Sequence, residues 1–197
     1  MADELVNLTA SEAAAEIACG AVSAEDYTRA CLERIEALDG EIKAFVHLDR
    51  DHALAQARRL DEHRKEGHAL GRLHGIPVAI KDNYDTVDMR TTAGAVADYA
   101  NDKPPKDATM VEKLRAAGAI ILGKTNLDEY APAGIGRSTL GGQTCNPYDT
   151  KRITGGSSAG TAAAVAANLA ICGLGTDTAG SVRYPSSLDA LVGLVAT

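Results

Sequence analysis

The sequence predicts an α/β fold: a mixed sheet flanked by helices and preceded by an N-terminal helical segment. Three observations predict it. From Gly71 onward, short apolar runs alternate with helical stretches, the order expected of a parallel or mixed sheet covered by helices. Before Gly71 the apolar spacing is helical and the segments open on capping residues. The apolar residues are mainly Ala, Val, Ile and Leu, with 19 glycines, one phenylalanine and no tryptophan, which suits close helix–sheet packing.

The elements come in chain order. Thr9 with Glu12 forms a capping box that opens a short helix ending near Gly20. Ser23 with Asp26 opens a second helix, expected to run to about Leu38 and close at Gly40. Tyr27, Ala30, Cys31, Ile35 and Leu38 keep a helical spacing and form one buried face. Asp51 to Glu66 is a third helix, and the mixed-sign run from Arg58 to Glu66 reads as its solvated face. Residues 8 to about 68 are thus all expected in helices, and a boundary falls at residue 70. Beyond it, Ile76 to Ile80 is a β run. Asp107 caps a helix from Ala108 to Ala117 that stops at Gly118. Ala119 to Leu122 is a strand, Ala159 to Leu169 a helix, and Ala170 to Gly175 another strand. Gly123 to Thr154 reads as a long loop, of the kind that usually carries function.

Composition excludes several classes. The net charge is −7 and the isoelectric point about 5.2, with no basic stripe and few aromatic residues. That argues against a nucleic-acid partner. Cys19, Cys31, Cys145 and Cys172 are scattered, with no CxxC pair, so neither a zinc site nor another metal centre is expected. Such thiols fit a reducing, cytoplasmic setting. No apolar stretch is long enough for a signal segment or a membrane span.

The chemistry concentrates in three places. The first is the small-residue loop Gly155-Gly156-Ser157-Ser158-Ala159-Gly160, directly before a helix. Its amides can favour a developing negative charge, or a serine there can simply cap the helix. The second is Asp177-Thr178-Ala179-Gly180-Ser181-Val182-Arg183, with Ser181 lying 24 residues past Ser157. Its bare backbone can bind an oxyanion, or the small residues can merely relieve a tight turn. The third is Lys81, at the end of the apolar run Gly75 to Ile80. A lysine desolvated there is a neutral base near pH 7, whereas one snorkelling to solvent or paired with Asp82 is not. Asp85 and Asp88 read as turn residues.

Known motifs narrow the choice. Gly156 to Gly160 matches the G-x-S-x-G nucleophile elbow, but His47, His52, His63, His68 and His74 all precede it. The hydrolase order, with histidine after serine, is therefore unavailable. No serine has lysine three positions later, and no Lys-Ser or Lys-Thr pair follows the glycines. A serine nucleophile in this chain therefore needs a base other than a downstream histidine, and Lys81 is the candidate.

The combination resembles the amidase signature family. The likeness rests on the two serine loops at their 24-residue step, on Gly75-Ile76-Pro77-Val78-Ala79-Ile80-Lys81-Asp82-Asn83, and on the segments Leu122 to Tyr130 and Gly141 to Asp149. It covers about residues 5 to 197. The resemblance implies that Ser181 is the nucleophile, that Ser157, on a cis peptide, relays the proton, and that Lys81 is the base. It implies an oxyanion hole at Thr178, Ala179, Gly180 and the Ser181 amide, with Ser158, Asp177 and Arg183 in support. It implies hydrolysis of a small-molecule carboxamide through an acyl-enzyme, with no metal or organic cofactor.

Residues 71–197 then correspond to the first half of a domain more than twice as long. Two family readings compete. One is a stand-alone amidase, compatible with a homodimer, to which Gly141 to Asp149 leans. The other is the A subunit of a tRNA-dependent amidotransferase with partner subunits. An inactive, truncated product with an open sheet edge is the non-enzymatic alternative. Ala159 and Ala179 stand where the family usually has glycine, and Ala179 is a liability if its φ is positive.

Overall fold

A computed structural model of the chain describes residues 2–96 and 103–196. After a single turn, α1 (Ala2–Leu5), the chain forms α2 (Ala10–Cys19) and α3 (Ala24–Ile42). Strand β1 (Phe45–Leu48) comes next, then α4 (Arg50–Lys65) and β2 (Pro77–Lys81). Helix α5 (Thr109–Ala116) leads into β3 (Ile120–Thr125). Two small hairpins succeed it, β4 (Arg137–Ser138) with β5 (Gly142–Gln143), and β6 (Cys145–Asn146) with β7 (Asp149–Ile153). Helix α6 (Ala159–Ala166), β8 (Cys172–Leu174) and α7 (Arg183–Leu188) complete the order.

The capping box forms as expected: the Glu12 amide donates to Thr9 Oγ1 at 3.3 Å and the Thr9 amide to the Glu12 carboxylate at 2.8 Å. Gly20 then ends α2 in the left-handed conformation. Helix α3 differs from expectation by running through Gly40 to Ile42. Gly40 has open space around it, and Ile42 adds buried apolar surface. The chain turns at Lys43, φ 58°, where the Asp39 carboxylate accepts the amides of Ala44 and Phe45 at 2.7 and 3.2 Å.

Two aspartates also take other parts than expected. Asp61, read as part of a solvated run, is buried and accepts the amides of Ala24 and Glu25 at the start of α3, at 2.8 and 3.0 Å. Asp107 does not cap α5. Ala108 takes that position, while Asp107 accepts from the Val87 amide and from Arg115.

The main sheet runs β1-β3-β2-β8. Strands β3, β2 and β8 are parallel and β1 is antiparallel to β3, so the sheet is mixed. The N-terminal segment, expected to be all helical, thus contributes an edge strand. Phe45 to Leu48 sits between helices α3 and α4 and is too short to build a helix of its own. The long segment from Gly123 likewise holds the end of β3 and both hairpins.

One core joins α2, α3 and α4 to the sheet and to α6. Ile17, Leu32, Ile76, Ile80, Ile120 and Leu122 are all buried there, each contributing about 1.5–3 kcal/mol. Among the described residues no helix is long and apolar enough to cross a membrane.

Candidate active site

The parallel strands end at one edge, and the site is built on the loops that leave their carboxyl ends. The β2–β3 register places Lys81 opposite Thr125. Lys81 is therefore the last residue of β2, Asp128 lies just past β3 and Thr176 to Ser181 lie just past β8. The loop Gly155 to Ser158 enters from the start of α6, and the hydroxyls of Thr125 and Thr161, 2.6 Å apart, tie β3 to that helix.

Lys81 does not snorkel and does not pair with Asp82. It is fully buried, and its Nζ donates to Ser157 Oγ at 2.7 Å and to Thr176 Oγ1 at 2.8 Å. Asp82 pairs instead with the second buried lysine, Lys124, at 2.9 Å. Burial pushes the Lys81 ammonium down to about 8, against the opposing pull of Asp128 and then Asp177. This lysine thus reaches its neutral form at mildly alkaline pH.

Ser157 is buried and the Gly156–Ser157 peptide is cis. Ser158 holds the N-cap position of α6 but makes no capping bond there. Its hydroxyl instead receives the Thr176 amide at 3.3 Å and donates to the Thr176 carbonyl at 3.2 Å. The Ser158 amide donates to the Ser181 carbonyl at 3.1 Å. Ser181 is therefore locked beside the Ser157 loop through the main chain. Its own hydroxyl makes no hydrogen bond among the described residues, which leaves it available to an incoming group.

Asp177 organises the turn that carries Ser181. Its carboxylate pairs with Arg183 at 3.0 Å and accepts the amides of Gly180, Val182 and Arg183 at 2.8, 3.0 and 3.2 Å. The Arg183 guanidinium and these amides hold it well below the usual carboxylate range. The same bonding limits the free donors of this turn. The Gly180 N–H is taken by Asp177, so the amides of Thr178, Ala179 and Ser181 are the ones with no acceptor among the described residues. Ala179 is not at positive φ; Gly180 takes that conformation, φ 123°. The alanine methyl is accordingly tolerated.

Three neighbours had no role assigned from sequence. Thr176 accepts from both Lys81 and Asn83, the latter at 3.0 Å. Asp128 lies under the Ser157 turn. Asn83 and Asp128 fall in legible motif segments and Thr176 directly precedes one, but nothing in one sequence says which residues gather at the Lys81–Ser157 pair.

A protein-family model, Amidase, matches residues 26–197. The chain belongs to the amidase signature family. Relatives of this amidase-family chain include the glutamyl-tRNA(Gln) amidotransferase subunits A of Thermobifida fusca, 50% identical over 96% of this chain and 38% of that protein, and of Streptomyces coelicolor, 46% identical over 98% and 39%. Among solved structures, the peptide amidase of Stenotrophomonas maltophilia matches at TM-score 0.88 and 41% identity, covering 93% of this chain and 39% of its own. Fatty acid amide hydrolase matches at TM-score 0.89 and 28% identity, covering 94% and 32%. The chain thus spans about two fifths of the length of the curated relatives it matches.

Proposed function

We propose that this chain carries the nucleophilic machinery of an amide hydrolase and cleaves the C–N bond of a small-molecule carboxamide. The observation that carries the reading is the direct Lys81 Nζ–Ser157 Oγ contact of 2.7 Å, shut away from water, on a loop bonded to Ser181. Neutral Lys81 takes the Ser157 proton as Ser157 takes the Ser181 proton, and Ser181 Oγ attacks the carbonyl carbon. The amides of Thr178, Ala179 and Ser181 meet the developing oxyanion. The relay then runs backward and protonates the departing nitrogen. Water attacks the acyl-Ser181 ester, and a carboxylate and ammonia or an amine leave. No step needs a metal or an organic cofactor, and the setting is cytoplasmic.

The test is labelling of Ser181 by a fluorophosphonate, with intact mass as the readout, alongside ammonia release from simple carboxamides. Ser181→Ala is expected to abolish both, and Lys81→Ala to lower both by at least about 10²-fold. Undiminished labelling or turnover in Ser181→Ala would sink the mechanism.

A second reading, the glutamine-hydrolysing A subunit of an amidotransferase, is favoured by the amidotransferase relatives. Ammonia released from glutamine, and not from other carboxamides, would select it. The non-enzymatic reading is favoured by the edge strand β8, paired among the described residues only with β2, and by the exposed Val192 and Leu194 beside it. Self-association without any Ser181 labelling would select that one.

A further inference from the structure

Asp128 is a buried carboxylate with no ion-pair partner among the described residues. It is 1% exposed, and among the described residues no lysine or arginine forms an ion pair with it. Its oxygens are held by main chain alone: the amides of Ile135 at 3.2 Å, Gly136 at 3.0 Å and Arg137 at 3.4 Å. Three amides orient a carboxylate well, but they bring no full positive charge to balance it.

The same residue is pressed against the loop that carries Ser157. Its amide donates to the Ser157 carbonyl at 3.3 Å. A Cβ added to Gly156 would stand 2.1 Å from Asp128 Oδ2, so glycine is required there to let the carboxylate lie flat on the turn. One side chain therefore touches the Gly156–Ser157 segment from below while clasping the 135–137 turn behind it.

We infer that Asp128 is a positioning residue for the Lys81–Ser157 pair, seating the turn that holds Ser157 against the lysine. The inference rests on the acyl-transfer reading for its purpose, though not for its test. The charged groups around Lys81 support the assignment. Asp82, the next residue after β2, is neutralised by Lys124. Asp177, from the β8 exit, is paired with Arg183. Asp128, from the β3 exit, has no such partner and exerts the larger pull of the two on Lys81. Without it, burial would drive the lysine further toward its neutral form and away from the proton it must carry to the leaving nitrogen.

The experiment is an NMR titration of protein labelled with ¹³C-lysine, with the Lys81 Cε signal assigned by Lys81→Arg. The parent midpoint is expected near 8. Asp128→Asn, which keeps an oxygen for the Gly136 amide but removes the charge, is expected to lower it by about one pH unit. Asp177→Asn is expected to lower it less. An unmoved midpoint in Asp128→Asn, or a larger movement in Asp177→Asn, overturns the proposal. Should Asp128→Asn not fold, Asp128→Ser replaces it with the same expectation. If neither variant folds, Asp128 serves the fold rather than the lysine, and the proposal is equally overturned. A parent protein that never labels at Ser181 would sink the acyl-transfer reading and leave this titration standing.

Discussion

Asp189 should make the protein less stable as the solution becomes neutral, and removing its charge should reverse that. The residue closes α7, is completely buried, and accepts one hydrogen bond, from Asn146 Nδ2 at 2.7 Å. Its second oxygen has no partner among the described residues. Burial pushes the carboxyl up to about 7 from an ordinary 3.8. The unfolded chain ionises near 3.8 while the folded chain keeps its proton to about 7. Unfolding therefore releases a proton in that window. The contribution is fully present below the unfolded value and is lost as pH rises through the folded one.

About three pH units at roughly 1.4 kcal/mol each set an upper limit of about 4 kcal/mol above pH 7. Asp189→Asn retains an oxygen for Asn146 and carries no charge, but it buries an unpaired amide N–H at about 1–2 kcal/mol. The variant should be more stable than the parent by roughly 2–3 kcal/mol at pH 8, or about 4–12 °C in Tm for a chain of this size, with no gain at pH 4. Urea melts at pH 4, 6 and 8 measure this directly. A difference between variant and parent that is the same at all three values would refute the reasoning.

Other expectations can be checked by the same melts. Lys124→Met leaves Asp82 buried without its cation and should cost about 3–5 kcal/mol, with part recovered in Asp82→Asn/Lys124→Met; a single-variant cost below about 1 kcal/mol contradicts the buried pair. Asp61→Ala frees two amides at the start of α3 and should cost about 1–2 kcal/mol, measured against the exposed control Glu62→Ala. Lys81→Met should stabilise the protein at pH 7 while abolishing amide hydrolysis. The folded Lys81 binds its proton more weakly than the unfolded one, so the parent gains stability between about pH 8 and 10.5. The variant's advantage should close over that range, and an advantage that is constant with pH would refute the shift.

Much of the architecture was legible because local chemistry and global fold agree. The Thr9–Glu12 box, the apolar run before Lys81 and the alanine helix after Ser158 each specify an element without help from distant residues. The misread positions share one physical origin. Gly40 reads as a stop because glycine is a poor helix former, but burial of Ile42 two residues later outweighs that local preference. Asp61 reads as solvated because it sits in a charged run, yet the free amides of α3 recruit it from 37 residues away. Phe45 to Leu48 is too short to stand out between two strong helical patterns and becomes a strand because β3 offers an edge.

By itself, the sequence determined the fold class, the family and the identity of the two serine loops and their lysine, because these rest on residue type and spacing. Only the tertiary structure decided which groups meet. It put Lys81 on Ser157 rather than on Asp82, gave Asp82 to Lys124, spent the Gly180 amide on Asp177, and set Asp128 unpaired beneath the Ser157 turn. Each of these is a choice among polar partners far apart in the chain. Such choices are settled by the packing of β2, β3, β8 and α6, which removes water and leaves every buried charge only the neighbours that the fold brings within reach.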